Sequence, residues 1–360
     1  MNSVKVIKAE RESNFELCRI FCMVYIVFYH LFIHVDNSLD VMWFTKPLIT
    51  ISHIGVVVFV MISGYWGIKR RLYKLLYILS LIVFYNLIGF LVAHFIFGKQ
   101  LVLSDFLCVF LPFSHGKYWF MTSYLVLFMV APYINKILES FTKREFAIYL
   151  LVIGFIVFYL GGVFQSSLGG GRGIAAFVLS YSIGRYIRIY YPHRLSSKLF
   201  FNCAFFPYIL VCVLFFVFYE ILPIRLAKVL NHFFFGYNSI GLYLMSILFF
   251  MGFKQMSFKS HLVNYLATPI LAVYLIHGNS FISDTIIYKP FEEFSLILGN
   301  NSYLLLICQS LFTILIVLSC IYIDIIRKKL FDLFKIDLFL LSMERECKDR
   351  IISKICKHLL

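Results

Sequence analysis

Ten runs of apolar residues, each long enough to cross a lipid bilayer, leave few folds open to this chain. They lie near residues 17–35, 48–67, 72–97, 119–138, 146–164, 174–191, 199–221, 233–253, 263–283 and 302–325. A hydrocarbon core about 30 Å thick needs roughly 20 helical residues, and each run supplies about that many. Lipid offers no partners to open backbone groups, so only helices and closed barrels span it. Barrel strands alternate apolar with polar residues, and these runs do not. The predicted fold is an all-α polytopic membrane protein of about ten transmembrane helices.

Composition points the same way. Apolar residues make up 61% of the 360 and charged residues only 14%, whereas a soluble domain carries roughly 25% charged. Too little charge is present to clothe a water-facing surface. Most of the nine cysteines fall inside the apolar runs, where Cys acts as a small hydrophobe. No CxxC and no Cys/His set at zinc spacing occurs, so no metal is expected.

The net charge of +15 would suit a nucleic-acid binder, but positive charge on the cytoplasmic side of a membrane protein explains it more cheaply. With the N-terminus placed inside, 26 of the 33 basic residues fall on inner segments. The outer segments hold only Lys46, Lys99, Lys117, Arg172, Arg225, Lys228 and Lys289. This bias under one alternation predicts ten crossings with both termini cytoplasmic and no nucleic-acid partner. The chain then divides into a cytoplasmic segment 1–16, a membrane domain 17–326, and a basic amphipathic tail 327–360 lying on the inner leaflet. The first run is expected to stay uncleaved, since it lacks a small-x-small cleavage site. The glycine-rich stretch Gly169–Gly173 lacks the GK[ST] ending of a P-loop and reads as an outer turn.

Ionisable groups inside a span are disfavoured by about 2.5–3.5 kcal/mol at the helix centre, so each needs a reason. The first span holds the densest set: Glu16, Arg19, His30 and His34. Arg19 and His30 are eleven residues apart, about three turns and a rise of about 16 Å, so both project from one face. A lone Arg there ordinarily snorkels to the interface. A shared face carrying guanidinium, carboxylate and imidazole points instead to function. Lys69, Arg70, Arg71 and Lys74 follow the second span and suit a polyphosphate ligand as well as they suit the positive-inside rule. His277 lies at a depth like that of His30. Asp324 and Arg327, three residues apart, read as an intrahelical ion pair. Trp119 and Tyr124 suit an aromatic belt and glycan stacking equally.

These residues also carry a resemblance. Arg11-Glu-Ser-Asn14-Phe-Glu16-Leu-Cys-Arg19 running to Tyr29-His30 is an R-x10-H signature on the first helix. Phe59 to Tyr65 with its following bases, Lys117 to Tyr124 and on to Asn135, Tyr237-Asn238-Ser239 leading to Tyr274 and His277, and Cys320 to Arg327 follow in order. Together they resemble the acyltransferase-3 family of integral membrane O-acyltransferases, above all those that acetylate bacterial surface polysaccharides. The resemblance implies transfer from cytoplasmic acetyl-CoA, or another acyl-CoA, to a glycan hydroxyl, in a bacterial plasma membrane. It carries the R-x10-H pair onto Arg19 and His30 as catalytic residues. Arg70, Arg71 and Lys74 then bind the acyl-CoA phosphates, with Lys74 standing where the family has Arg and so losing bidentate geometry. Glu16, His34, His277, Trp119 and Tyr124 are expected to support the site or bind the glycan. A different class, a transporter of a lipid-linked or polymeric glycan, also fits ten spans with buried His and Arg.

Overall fold

The computed structural model describes residues 11–34, 52–69, 71–111, 118–163, 171–193, 195–217, 221–223, 226, 236–298 and 302–359. Helix is the regular structure throughout, with no strand among the described residues. Among the described residues five helices are long and apolar enough to cross a membrane: α1 (Ser13–Phe32), α3 (Leu72–Phe95), α5 (Trp119–Ser140), α6 (Lys143–Phe155, continued in π-helical turns to Val163) and α13 (Ser302–Leu333). Between them lie α2 (Ile54–Trp66), α4 (Leu103–Phe110), α7 (Ile174–Tyr190), α8 (Ser197–Phe216) and α9 (Ile240–Gln255). The helices α10 (His261–Ala267), α11 (Ile270–His277) and α12 (Lys289–Leu298) follow, and α14 (Ile336–Leu359) ends the chain. Every predicted apolar run therefore carries helix.

Local chemistry sets several boundaries. Thr142 and Glu145 form a capping box that starts α6: Thr142 Oγ1 accepts the Glu145 amide at 3.3 Å, and Glu145 Oε2 accepts the Thr142 amide at 2.7 Å. Gly67, at φ 71°, ends α2. Three boundaries differ from expectation. The run 263–283 is not one unbroken helix. It breaks at Thr268–Pro269 into α10 and α11 and stops at His277, because Pro269 has no amide to continue the ladder. The last run extends past residue 325 to Leu333, since Arg327 is buried by its partners rather than released to the surface. A left-handed Lys335, φ 52°, then separates α13 from the tail helix α14.

Large apolar side chains cover the outside. Leu151 is 74% exposed, and Leu199, Ile209, Leu311, Leu315 and Tyr322 also face outward. Water would penalise that surface at roughly 25 cal/mol per Å², whereas lipid does not. Inside, the tightest contact joins α2 to α7. A Cβ on Gly64 would sit 1.9 Å from the Tyr181 carbonyl oxygen, and one on Gly184 would sit 2.1 Å from that of Met61. Small residues let the two backbones touch, the usual device where helices gain little from apolar burial in lipid.

Gly184→Ala is therefore expected to destabilise the bundle by more than the roughly 1–3 kcal/mol of ordinary overpacking. Gly154→Ala, whose added methyl would meet only the Phe158 ring at 3.4 Å, should be near neutral. Thermal unfolding of both variants in detergent micelles checks the pair.

Candidate active site

The helix α1 organises the site. Its first turn is buried, with Asn14 Nδ2 donating to the Phe253 carbonyl at 3.0 Å. Glu16, also buried, lies in that turn, where the helix dipole favours a carboxylate. Arg19 Nη1 donates to Glu16 Oε1 at 2.8 Å. Arg11 approaches Glu16 Oε2 at 4.0 Å and donates to Thr268 Oγ1 at 3.0 Å. Glu16 Oε2 itself has no hydrogen-bond partner among the described residues. The carboxylate thus holds Arg19 in place while keeping one oxygen in reserve.

Two chambers meet at this point. The wider, about 850 Å³, is lined by Arg11, Arg19, Lys69, Arg71, Lys74, Arg327 and Lys328, with Asp324, Asp332 and Asp337 among them. The narrower, about 250 Å³, runs past Met23, Ile26, Val56 and Phe59 to Tyr29 and His30. Arg19, Ser63, Tyr124 and Thr268 are among the residues that line both. There Ser63 donates to the Phe59 carbonyl at 3.2 Å, so the 3.1 Å contact between Tyr124 and Ser63 uses the tyrosine proton. The helix break at Thr268–Pro269 lies on this wall. Irregular backbone at membrane depth is tolerated where it lines a cavity.

The narrow chamber ends in a pair of imidazoles. His277, fully buried, places Nδ1 at 2.6 Å from the Val273 carbonyl oxygen. A carbonyl only accepts, so that nitrogen carries a proton, and with both rings neutral Nε2 is a lone pair. His30 Nδ1 lies 2.9 Å from that Nε2 and is therefore the donor. The remaining nitrogen, His30 Nε2, is left unprotonated. This network of acceptors assigns both tautomers.

Tyrosines hold the end of α11 that carries His277. Tyr288 donates to the His277 carbonyl at 3.0 Å. The Tyr118 hydroxyl lies 3.1 Å from the Leu275 carbonyl and 3.0 Å from Asn86 Oδ1. Helix ends leave their last carbonyls open, and these side chains close two of them.

The sequence-predicted residues thus separate into groups. Arg19, His30, Glu16, Trp119 and Tyr124 line the narrow chamber, and His277 supports it from behind. Arg71 and Lys74 line the wide chamber with Arg19. His34 lies apart, stacked on Tyr288 at 3.9 Å between ring centroids. Arg70 is outside the described residues. Asp324 and Arg327 form the expected intrahelical pair at 2.7 Å, both buried. Arg327 also donates to Tyr77 at 3.1 Å, and Tyr85 donates to Asp324 at 2.7 Å. Sequence reasoning missed His53 and Tyr118 as site residues and the contact of Tyr237 with His53, a stack at 3.9 Å. The motif Tyr237-Asn238 was the available signal for that contact. Among the described residues no group of three His, Cys, Asp or Glu side chains is placed to hold a metal ion.

The helix bundle, apolar on its outside, thus holds a basic chamber beside a smaller one that reaches a pair of imidazoles. Residues 12–324 match the acyltransferase domain that defines the acyltransferase-3 family, and the chain belongs to that family. Neither the curated proteins nor the solved structures yield a match to it.

Proposed function

We propose that this membrane acyltransferase moves an acetyl or similarly small acyl group from cytoplasmic acyl-CoA to a hydroxyl of a surface polysaccharide or its lipid-linked precursor. The observation that carries the reading is a wide basic chamber beside a smaller, largely apolar one that reaches His30, the two sharing Arg19 in their walls. Clustered guanidinium and ammonium groups suit the phosphates of a nucleotide-bearing donor. The narrow, largely apolar chamber suits an uncharged arm with a thioester at its tip. Ten crossings, with Arg19 toward the cytoplasm and His30 toward the far side of a bacterial plasma membrane, put donor and acceptor at opposite ends.

In this mechanism His30 Nε2 takes the proton of the acceptor hydroxyl as its oxygen attacks the thioester carbonyl. The carbon–sulfur bond breaks, and the proton returns from His30 to the departing thiolate. Nδ1 keeps its hydrogen bond to His277 throughout, so the base stays oriented while it is charged.

Labelled acetyl-CoA supplied to inside-out vesicles, with the cell's own surface glycan as acceptor, tests the proposal. Label is expected to appear in the glycan as alkali-labile ester. Arg71→Gln with Lys74→Gln should raise KM for acetyl-CoA about tenfold and change kcat much less, as loss of ground-state binding does. A cell lacking the chain should display unacetylated polymer. Unmodified polymer trapped inside that cell would favour export instead and overturn the proposal.

A further inference from the structure

The end of the narrow chamber farthest from the basic one carries a second constellation that the transfer chemistry does not use. Trp119, Tyr237 and Tyr29 line the chamber there. The Arg172 guanidinium stands 5.5 Å from the Trp119 ring centroid and 5.4 Å from that of Tyr237. Its backbone is fixed from two sides. Ser123 donates to the Arg172 carbonyl at 2.8 Å, and Gly171, at φ 80°, packs so closely that a Cβ would lie 2.0 Å from Asn238 Oδ1. The stretch expected to be a plain outer turn is, over residues 171–173, a mount for one arginine.

Behind Tyr237 lies His53, edge-on to Tyr29 at 4.5 Å between ring centroids. Both its ring nitrogens are buried and have no hydrogen-bond partner among the described residues. Cation–π contact at an exposed site is worth roughly 0.5–1 kcal/mol, which helps hold the arginine over the rings. It uses none of the five N–H donors of the guanidinium. Among the described residues Arg172 has no side-chain hydrogen bond and no ion pair; its guanidinium faces only the two rings. Aromatic faces suit the C–H faces of a sugar ring. A fixed guanidinium beside them suits a planar or tetrahedral anion. A neutral glycan would leave that fork unanswered.

We propose that Arg172, mounted on Trp119 and Tyr237, binds a negative charge on the acceptor glycan, a uronate carboxylate or a phosphate, while the hydroxyl to be acylated lies at His30. This deepens the functional reading above and rests on it.

The full chain in lipid nanodiscs is titrated with three oligosaccharides of equal length: neutral, uronate-bearing and phosphate-bearing. At least one anionic probe is expected to bind ten times more tightly than the neutral one, and the stronger of the two identifies the source of charge. Arg172→Gln should remove that preference, and Arg172→Lys should keep part of it. Equal binding of all three, no binding by any, or a preference that survives Arg172→Gln overturns the proposal. His30→Gln separates the two readings: it should bind the probes like the wild type while failing to transfer acetyl. If charge preference is absent but transfer still needs His30, only the role of Arg172 falls. If transfer proceeds without His30, the acyltransfer mechanism falls.

Discussion

Replacing His30 by Gln is expected to lower acetyl transfer by about 10²–10⁴-fold, the range a positioned general base contributes, with the protein inserting at normal levels. Glutamine keeps a polar group of similar reach but offers no basic nitrogen. The partner ring provides the sharper test. His277 touches His30, and in the proposed mechanism it acts through it, as a positioning residue. Its replacement by Leu removes the acceptor for His30 Nδ1 and frees the imidazole to turn or to change tautomer. Replacement by Gln supplies a carbonyl oxygen that can take the same hydrogen bond. Transfer should therefore fall about 10–100-fold in His277→Leu, the usual cost of losing an orienting partner, and less in His277→Gln. The acidic limb of the pH profile should move in His277→Leu and stay near the wild type in His277→Gln. Equal loss in both, with an unchanged profile, would assign His277 to packing alone.

The second large effect is expected at the Asp324–Arg327 pair. Removing one partner of a buried ion pair typically costs about 3–5 kcal/mol, because the other charge is left without compensation. The two deletions should not be equal. Asp324→Ala strands Arg327 and takes a partner from Lys328, whose Nζ lies 3.5 Å from Asp324 Oδ2, and from Tyr85. Arg327→Ala leaves Asp324 with both Lys328 and Tyr85. Thermal unfolding should therefore show the larger loss for Asp324→Ala. The apolar double replacement Asp324→Leu with Arg327→Met should recover most of it, since such pairs often exchange for packed side chains at little cost. A double variant as unstable as Asp324→Ala would mean that the charges themselves hold α13 to α3.

Much of the architecture could be read before any coordinates, because the signal was length and hydropathy. Each apolar run carries helix, and the eleven-residue spacing of Arg19 and His30 put both on the wall of one chamber. The break at Thr268–Pro269 was less legible. A proline in an apolar run signals a kink or a stop, but the surrounding hydropathy is continuous and hides it. The contact between His30 and His277 joins residues 247 apart in sequence. Their equal depths could be counted along two helices, but which helix stands beside which depends on packing, such as the crossing at Gly64 and Gly184. Arg172 and His53 were harder still. Sequence marks one only as an outer-loop charge and does not single out the other, and the rings beside them come from three separate segments.

A hollow of this kind inside a membrane is also a hazard, because water that enters it can carry protons and drain the gradients the cell lives on. Arg19, held by Glu16, stands where the two chambers share their walls, and a fixed guanidinium lining a water-filled passage would oppose the entry of protons and metal cations. On the proposed function, the residue that meets an anionic donor would thus also keep its doorway from leaking.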